Sequence, residues 1–96
     1  MNRDDVLRLL REHKSTLAQR FGVNKLALYG SFARDQAAAD SDVDILVQFD
    51  APLGWQRYFG TQAYLEDLLR RPVDMATEQE LRAEIRPHVE REVIDV

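Results

Sequence analysis

Residues 42–49, DVDILVQF, place two carboxylates one residue apart at the entrance of a segment that is otherwise apolar and β-branched. In an extended chain, side chains two apart share a face. Asp42 and Asp44 therefore fall on one side of a strand, and Val43, Ile45 and Val47 on the other. Aspartate is depleted inside strands, so the pair calls for a reason beyond packing. The two Cα atoms would stand about 7 Å apart by the strand rise. Carboxylates reaching toward one another to about 4 Å would repel by roughly 4 kcal/mol at an effective dielectric near 20. Protonation of one acid, a divalent cation shared by both, or water at an exposed strand end would each offset that repulsion.

The segments on either side decide how this strand is used. From Asn2 to Arg20, Val6, Leu9, Leu10 and Leu17 recur at helical spacing, with Asn2 or Asp4 as cap and Gly22 as stop. Lys25 to Tyr29, KLALY, is a strand ended by Gly30, and Ser31 to Arg34 opens a helical turn. After the Asp-rich strand, Pro52 and Gly54 mark a turn. Trp55 to Arg70 then carries Trp55, Tyr58, Phe59, Leu65 and Leu69 on one helical face. Val73 to Ala76 forms a third strand, and Thr77 with Glu80 has the capping-box spacing for a last helix with Leu81 and Ile85 inward. The terminal VIDV is a further strand or a docked end. The order α-β-α-β-α-β-α predicts an α/β (α+β) fold, a small mixed sheet flanked by helices, with residues 1–96 as one domain.

Connection lengths then place the acids. Eleven residues separate Gly30 from Asp42, which suits an antiparallel pair. A helix-length crossover joins the second and third strands and suits a parallel pair. Asp74, near the start of the third strand, would then join Asp42 and Asp44 beside Gly30 and Ser31. Gly30 permits close backbone approach, Ser31 supplies a hydroxyl, and Arg34 one turn on supplies a charge-assisted contact, a set suited to phosphate. Anion donors beside an acid cluster match a metal-bridged polyphosphate, and the reaction class indicated is phosphoryl or nucleotidyl transfer. The plainer alternatives are a strand-end surface acid, or a partner for Arg71, at Asp74, and a surface pair with Asp35 at Arg34.

Composition narrows the rest. A formal net charge of −4 disfavours nonspecific binding to nucleic acid or anionic lipid. With no cysteine there is no disulfide, thiolate metal site or thiol nucleophile. No apolar run reaches membrane-spanning length and no secretory leader is present, so a soluble cytoplasmic protein is expected. His13 and His88 are far apart and read as packing or surface residues. Tyr64 lies off the main apolar stripe of its helix and is the candidate for an interface. Glu78, Glu80, Glu84, Glu90 and Glu92 alternate with arginines as a solvated face.

GSFAR at residues 30–34, the ten-residue gap from Phe32 to Ser41, and SDVDILV at 41–47 together resemble the signature of the DNA polymerase β-like nucleotidyltransferases. From about Leu26 to Val96 the chain resembles their minimal nucleotidyltransferase (MNT) branch. That resemblance implies that Gly30 and Ser31 hold the nucleotide triphosphate and that Asp42 and Asp44 bind two Mg2+ ions. It also implies that Asp74 joins one metal and helps activate the acceptor hydroxyl. Asp35 departs from many relatives, which carry glycine after the arginine, and it sets a negative charge near the phosphate site.

Larger members append a helical domain that presents the acceptor, so here the acceptor is expected on another molecule. Chains of this pattern resemble antitoxins of the HEPN/MNT type, which transfer AMP from ATP to a tyrosine of a HEPN ribonuclease toxin. The resemblance thus implies a Mg2+-dependent protein adenylyltransferase in a hetero-oligomer with such a toxin. Two alternatives stay open: a non-catalytic antitoxin that masks the toxin stoichiometrically, and nucleotidyl transfer to a small molecule.

Overall fold

A computed structural model describes residues 1–38, 40–50, 54–77 and 93–96. Chain order runs α1 (Arg3–Phe21), β1 (Val23–Tyr29), α2 (Gly30–Ala33), β2 (Val43–Phe49), α3 (Trp55–Leu69), β3 (Val73–Thr77) and β4 (Ile94–Asp95). The last helix anticipated from Thr77 and Glu80, with Leu81 and Ile85 inward, lies outside the described residues apart from Thr77. Thr77 itself closes β3.

Helix α1 begins where Asn2 accepts the Asp5 amide and Asp5 accepts the Asn2 amide, both at 3.0 Å. This reciprocal box satisfies two amides that the first turn leaves without carbonyl partners. Asp4 and Asp5 also sit at the positive end of the helix dipole. The helix stops at Gly22, whose φ of 74° is left-handed and whose amide donates to Ala18 O at 3.0 Å. Glycine suits that left-handed position, and a Cβ there would also displace the exposed side-chain ends of Asp50 and of the Arg57 guanidinium. That guanidinium pairs with Asp50 at 3.1 Å, and the Asp50 amide donates to Gly22 O at 2.8 Å, so the end of β2 is tied to the start of β1.

The four strands form one mixed sheet in the order β3-β2-β1-β4. β1 and β2 are antiparallel, with Tyr29 opposite Asp44, and β2 and β3 are parallel, with Asp44 opposite Asp74. Both senses agree with the connection lengths. β1 begins two residues earlier than the KLALY segment suggested, at Val23, across a register irregularity between Val23 and Lys25. The terminal VIDV supplies β4, which pairs with β1 and is fastened by Val96 N–H to Leu26 O (2.9 Å) and Lys14 Nζ to Val96 O (2.8 Å).

Alternation along the strands divides the sheet into two faces. Leu26, Leu28, Val43, Ile45, Val47, Val73 and Met75 pack with Val6, Leu10 and Leu17 of α1 and Leu65 and Leu69 of α3 in the main core. Each such fully buried aliphatic side chain contributes about 1.5–3 kcal/mol. The opposite face presents the smaller set Ala27, Leu46 and Ala76, with Tyr29 and Val93 against it. Among the described residues no helix is long and apolar enough to cross a membrane.

Tyr64 packs against this main core. Its hydroxyl shares a 2.6 Å hydrogen bond with His13 Nδ1, and its ring meets Phe21 edge-on at 5.9 Å. It therefore joins α3 to α1. The large apolar residues left exposed on α3 are Trp55 and Phe59, at 71% and 57% exposure, although the spacing had placed them on the inward stripe. Tyr58 in the same turns stays half-buried and bonds to Met75 O, so the two exposed rings lie beside the buried stripe, an absolute orientation that periodicity does not carry.

Candidate active site

The acids belong to the face of the sheet opposite α1 and α3. Val43, Ile45, Val73 and Met75 point into the helical layer, so Asp42, Asp44 and Asp74, at alternate positions, face the other way. Asp44 and Asp74 are lateral neighbours in the parallel register, and Asp42 immediately precedes β2. The structure thus brings all three predicted acids to one side of the sheet, at the strand ends nearest the Gly30 turn.

Local bonding fixes these ends. The Val43 amide donates to Pro72 O at 3.0 Å, locking the entrance of β2 to the entrance of β3. Ahead of Asp42, Ser41 Oγ accepts the Ala38 amide at 2.8 Å and the Ser41 amide donates to Ala38 O at 3.1 Å, so the loop arrives at the acids closed upon itself. On the outer edge of β3, Glu66 Oε2 accepts the Val73 amide at 3.0 Å. Gln62 Nε2 donates to Val73 O at 3.1 Å, and the Tyr58 hydroxyl donates to Met75 O at 2.6 Å. These three side chains were missed in the sequence. Their signal was present as polar groups at i, i+4 and i+8 within a helix whose aromatic residues dominate the pattern.

Gly30 has φ 74°, and a Cβ placed on it would run into the Asp44 carboxyl group, with Asp44 Cγ 2.9 Å away. The turn therefore lies directly on the middle acid, in a conformation that glycine adopts at no steric penalty. Ser31 is half-buried and its carbonyl accepts the Gln36 amide at 2.9 Å. The next residues, Phe32 and Ala33, are 1% and 7% exposed and anchor the turn in the core. Arg71 lies over the Phe32 ring at 5.3 Å. Arg34 caps α2, donates from Nε to Gln36 Oε1 at 3.3 Å, and is near enough to Asp44 to favour its ionised form.

Asp35 has a left-handed φ of 58°. That conformation is one that glycine adopts freely, and aspartate is among the side chains that tolerate it. Its carboxylate turns toward the first turn of α1, where Oδ1 accepts the Arg3 amide at 3.4 Å.

Asp44 is half-buried, and its pKa is raised from 3.8 to about 6. Burial is the largest cause, followed by repulsion from Asp74 and then Asp42, and a side-chain hydrogen bond with Asp74 favours the protonated form further. The repulsion between the acids is thus expressed as a raised pKa at Asp44, whose protonated form is favoured by burial and by the neighbouring carboxylates. The same oxygens make a donor set for a hard divalent cation, which would offset that repulsion. Among the described residues no group of three or more His, Cys, Asp or Glu side chains is placed so as to hold a metal ion together. An open set fits Mg2+, which is ordinarily held by one or two carboxylates with waters and substrate phosphates completing the octahedron. A cleft of about 360 Å³ lined by Met1, Asp40, Ser41, Leu69, Arg70, Arg71 and Pro72 includes none of the three acids.

Comparison with known proteins agrees with this geometry. The nucleotidyltransferase domain family matches residues 10–96. The protein adenylyltransferase MntA of Thermococcus cleftensis is 38% identical over 93 residues, covering 97% of this chain and 94% of that protein. A solved structure assigned to the minimal nucleotidyltransferases superimposes with a TM-score of 0.82 at 34% identity, covering 100% of this chain and 97% of that one. A chain from the complex of tri-AMPylated Shewanella oneidensis HEPN toxin with MNT antitoxin shares the fold, with a TM-score of 0.59 at 18% identity over 98% of this chain and 67% of that one. Three carboxylates on one sheet face, a glycine-serine turn laid against the middle one, and similarity along nearly the whole length lead to one conclusion: the chain belongs to the nucleotidyltransferase domain family, as an enzyme of its minimal branch and a homologue of MntA.

Proposed function

We propose that this chain is a Mg2+-dependent protein adenylyltransferase that acts as an antitoxin, moving AMP from ATP to a tyrosine hydroxyl of a HEPN-type ribonuclease toxin in the cytoplasm. The observation that carries the reading is the lateral pairing of Asp44 with Asp74 under the Gly30 turn. The MntA homology supports protein as the acceptor, and the related AMPylated HEPN complex supports AMP as the transferred group.

In this reading Gly30 and Ser31 hold the β- and γ-phosphates through backbone and hydroxyl contacts, and Arg34 adds positive charge beside them. Asp42 and Asp44, with Asp74 joining them, would hold two Mg2+ ions, which when bound shield the phosphate oxygens and the charge that develops on them. Asp74, exposed at the sheet edge, takes up the proton of the incoming tyrosine hydroxyl. The tyrosine oxygen forms a bond to the α-phosphorus, the bond from that phosphorus to the bridging oxygen breaks, and pyrophosphate leaves with the electron pair. The chain's contribution is chiefly position: a misplacement of about 1 Å would lower the rate by about 100-fold.

The purified chain incubated with the toxin, Mg2+ and ATP labelled in the α-phosphate should label the toxin, with mass spectrometry locating AMP on tyrosine. Parallel incubations with GTP and CTP test the base. Label transfer that persists in the Asp42→Asn, Asp44→Asn double variant refutes the assigned roles. Stoichiometric masking is the second reading, favoured by Trp55 and Phe59 standing exposed on the first turns of α3. It prevails if the double variant still protects cells and the toxin carries no modification.

A further inference from the structure

We propose that Tyr58, Gln62 and Glu66 of α3 are positioning residues for Asp74, holding the outer edge of β3 so that this carboxylate stays level with Asp44; the proposal rests on the reading of the three acids as catalytic. β3 is the terminal strand of the sheet on its side, with β2 as its neighbour. An edge strand presents a row of amides and carbonyls that a second strand would otherwise pair. Here a helix supplies the partners. The Val73 amide donates to Glu66, the Val73 carbonyl accepts from Gln62, and the Met75 carbonyl accepts from Tyr58.

The spacing explains why one helix face can do this. Residues four apart on a helix rise by about 6 Å, and outward-facing groups two residues apart on a strand are separated by about 6.6 Å. Tyr58 and Gln62 match the step from Met75 O to Val73 O, with α3 antiparallel to the strand, and Glu66, one turn further on, reaches the amide of the same Val73. Their contacts fall on Val73 and Met75, the residues that flank Asp74. By the strand alternation the amide and carbonyl of Asp74 itself turn toward β2, as Pro72 O does when it accepts the Val43 amide. Asp74 is thus held from both edges of its strand.

The burial of Val73 and Met75, each 4% exposed, already keeps β3 in the fold. The clamp governs how closely the strand lies to β2 and how far its first residues fray. Glu66 matters most, because a carboxylate accepting a backbone amide makes a charge-assisted bond at the entrance of the strand. Supporting contacts of this kind act through the residues that touch substrate, and their loss typically lowers activity by about 10- to 100-fold.

Glu66→Ala, Glu66→Gln and Tyr58→Phe test the assignment by two readouts: amide hydrogen exchange across residues 73–77 in the metal-free chain, and transfer kinetics with ATP, Mg2+ and the protein acceptor. For Glu66→Ala, exchange at Val73 and Asp74 should quicken about tenfold or more. Its kcat should fall about 10- to 100-fold while the KM for ATP stays within about threefold. Glu66→Gln retains an acceptor oxygen and should recover most of the rate. Tyr58→Phe, which keeps the ring and removes only the hydroxyl, should lower kcat in the same sense. An active wild type with Glu66→Ala unchanged in exchange, or altered in exchange and unchanged in kcat, overturns the positioning role alone. A wild-type chain that transfers nothing to the acceptor overturns the catalytic reading together with it.

Discussion

The backbone of Gly30 lies against the carboxyl group of Asp44, close enough that a Cβ added to Gly30 would approach Asp44 Cγ to 2.9 Å. The turn offered to phosphate and the middle acid are thereby a single packed unit. Gly30→Ala meets two obstacles, the left-handed φ of 74° and the carboxyl group itself. The first alone costs about 1–2 kcal/mol, and the second displaces Asp44. Nucleotidyl transfer by this variant should fall at least ~100-fold. Its melting temperature, read by circular dichroism, should also drop.

Asp44 sets a pH dependence on the metal-free protein. Its pKa rises from 3.8 to about 6 on folding, so between those values the native state holds a proton that the unfolded chain has released. Stability from this group is therefore full below the ordinary value, declines as pH rises through the interval, and levels off above about pH 6. Asp44→Asn removes the penalty of ionising a half-buried acid beside two others. With chelator present, it should stabilise the chain by ~1–2 kcal/mol at pH 7.5 and scarcely at all near pH 4, allowing for solvent screening of a half-exposed group. Urea unfolding at the two pH values measures the difference. An equal gain at both would show that the penalty does not come from ionisation.

Asp35→Gly addresses the departure at the residue after Arg34. Glycine relieves the strain of φ 58° and forfeits both the contact with the Arg3 amide and the stiffness of a side chain. These effects oppose one another, and stability should change by less than about 1 kcal/mol. Transfer should stay within about twofold of wild type, because the Asp35 carboxylate is directed to α1. A rate increase of tenfold or more would show instead that its charge repels the nucleotide phosphates.

Thr61 is fully buried in α3, and among the described residues its hydroxyl has no hydrogen-bond partner. Thr61→Val keeps the shape and the helix propensity while removing the desolvated hydroxyl. It should raise stability by about 1 kcal/mol in denaturant unfolding. Transfer activity should be unchanged.

Much of the site was legible because a few rules act locally. Asn2 and Gly22 bound α1 through capping chemistry that depends only on neighbouring residues. The antiparallel β1–β2 pair and the parallel β2–β3 pair followed from the lengths of the connections, and those senses brought Asp74 to Asp44. The Trp55–Phe59 pair was misjudged because helical periodicity gives a relative angle between residues, and the absolute rotation of α3 depends on what it packs against. The fastening of the β3 edge by Glu66 escaped for a related reason, since that bond reaches across two elements from polar residues that a helix surface carries anyway.

The sequence alone determined the order of the elements, the strand that carries Asp42 and Asp44 on one face, and the glycine-serine turn before it, because strand alternation and turn chemistry are properties of adjacent residues. Only the tertiary structure decided that the Gly30 turn lies on the Asp44 carboxyl and that burial beside Asp74 and Asp42 raises the pKa of Asp44. It alone decided, too, which aromatic residues of α3 face solvent. Those outcomes depend on the distances between elements remote in the chain, which packing sets and no short stretch of sequence encodes.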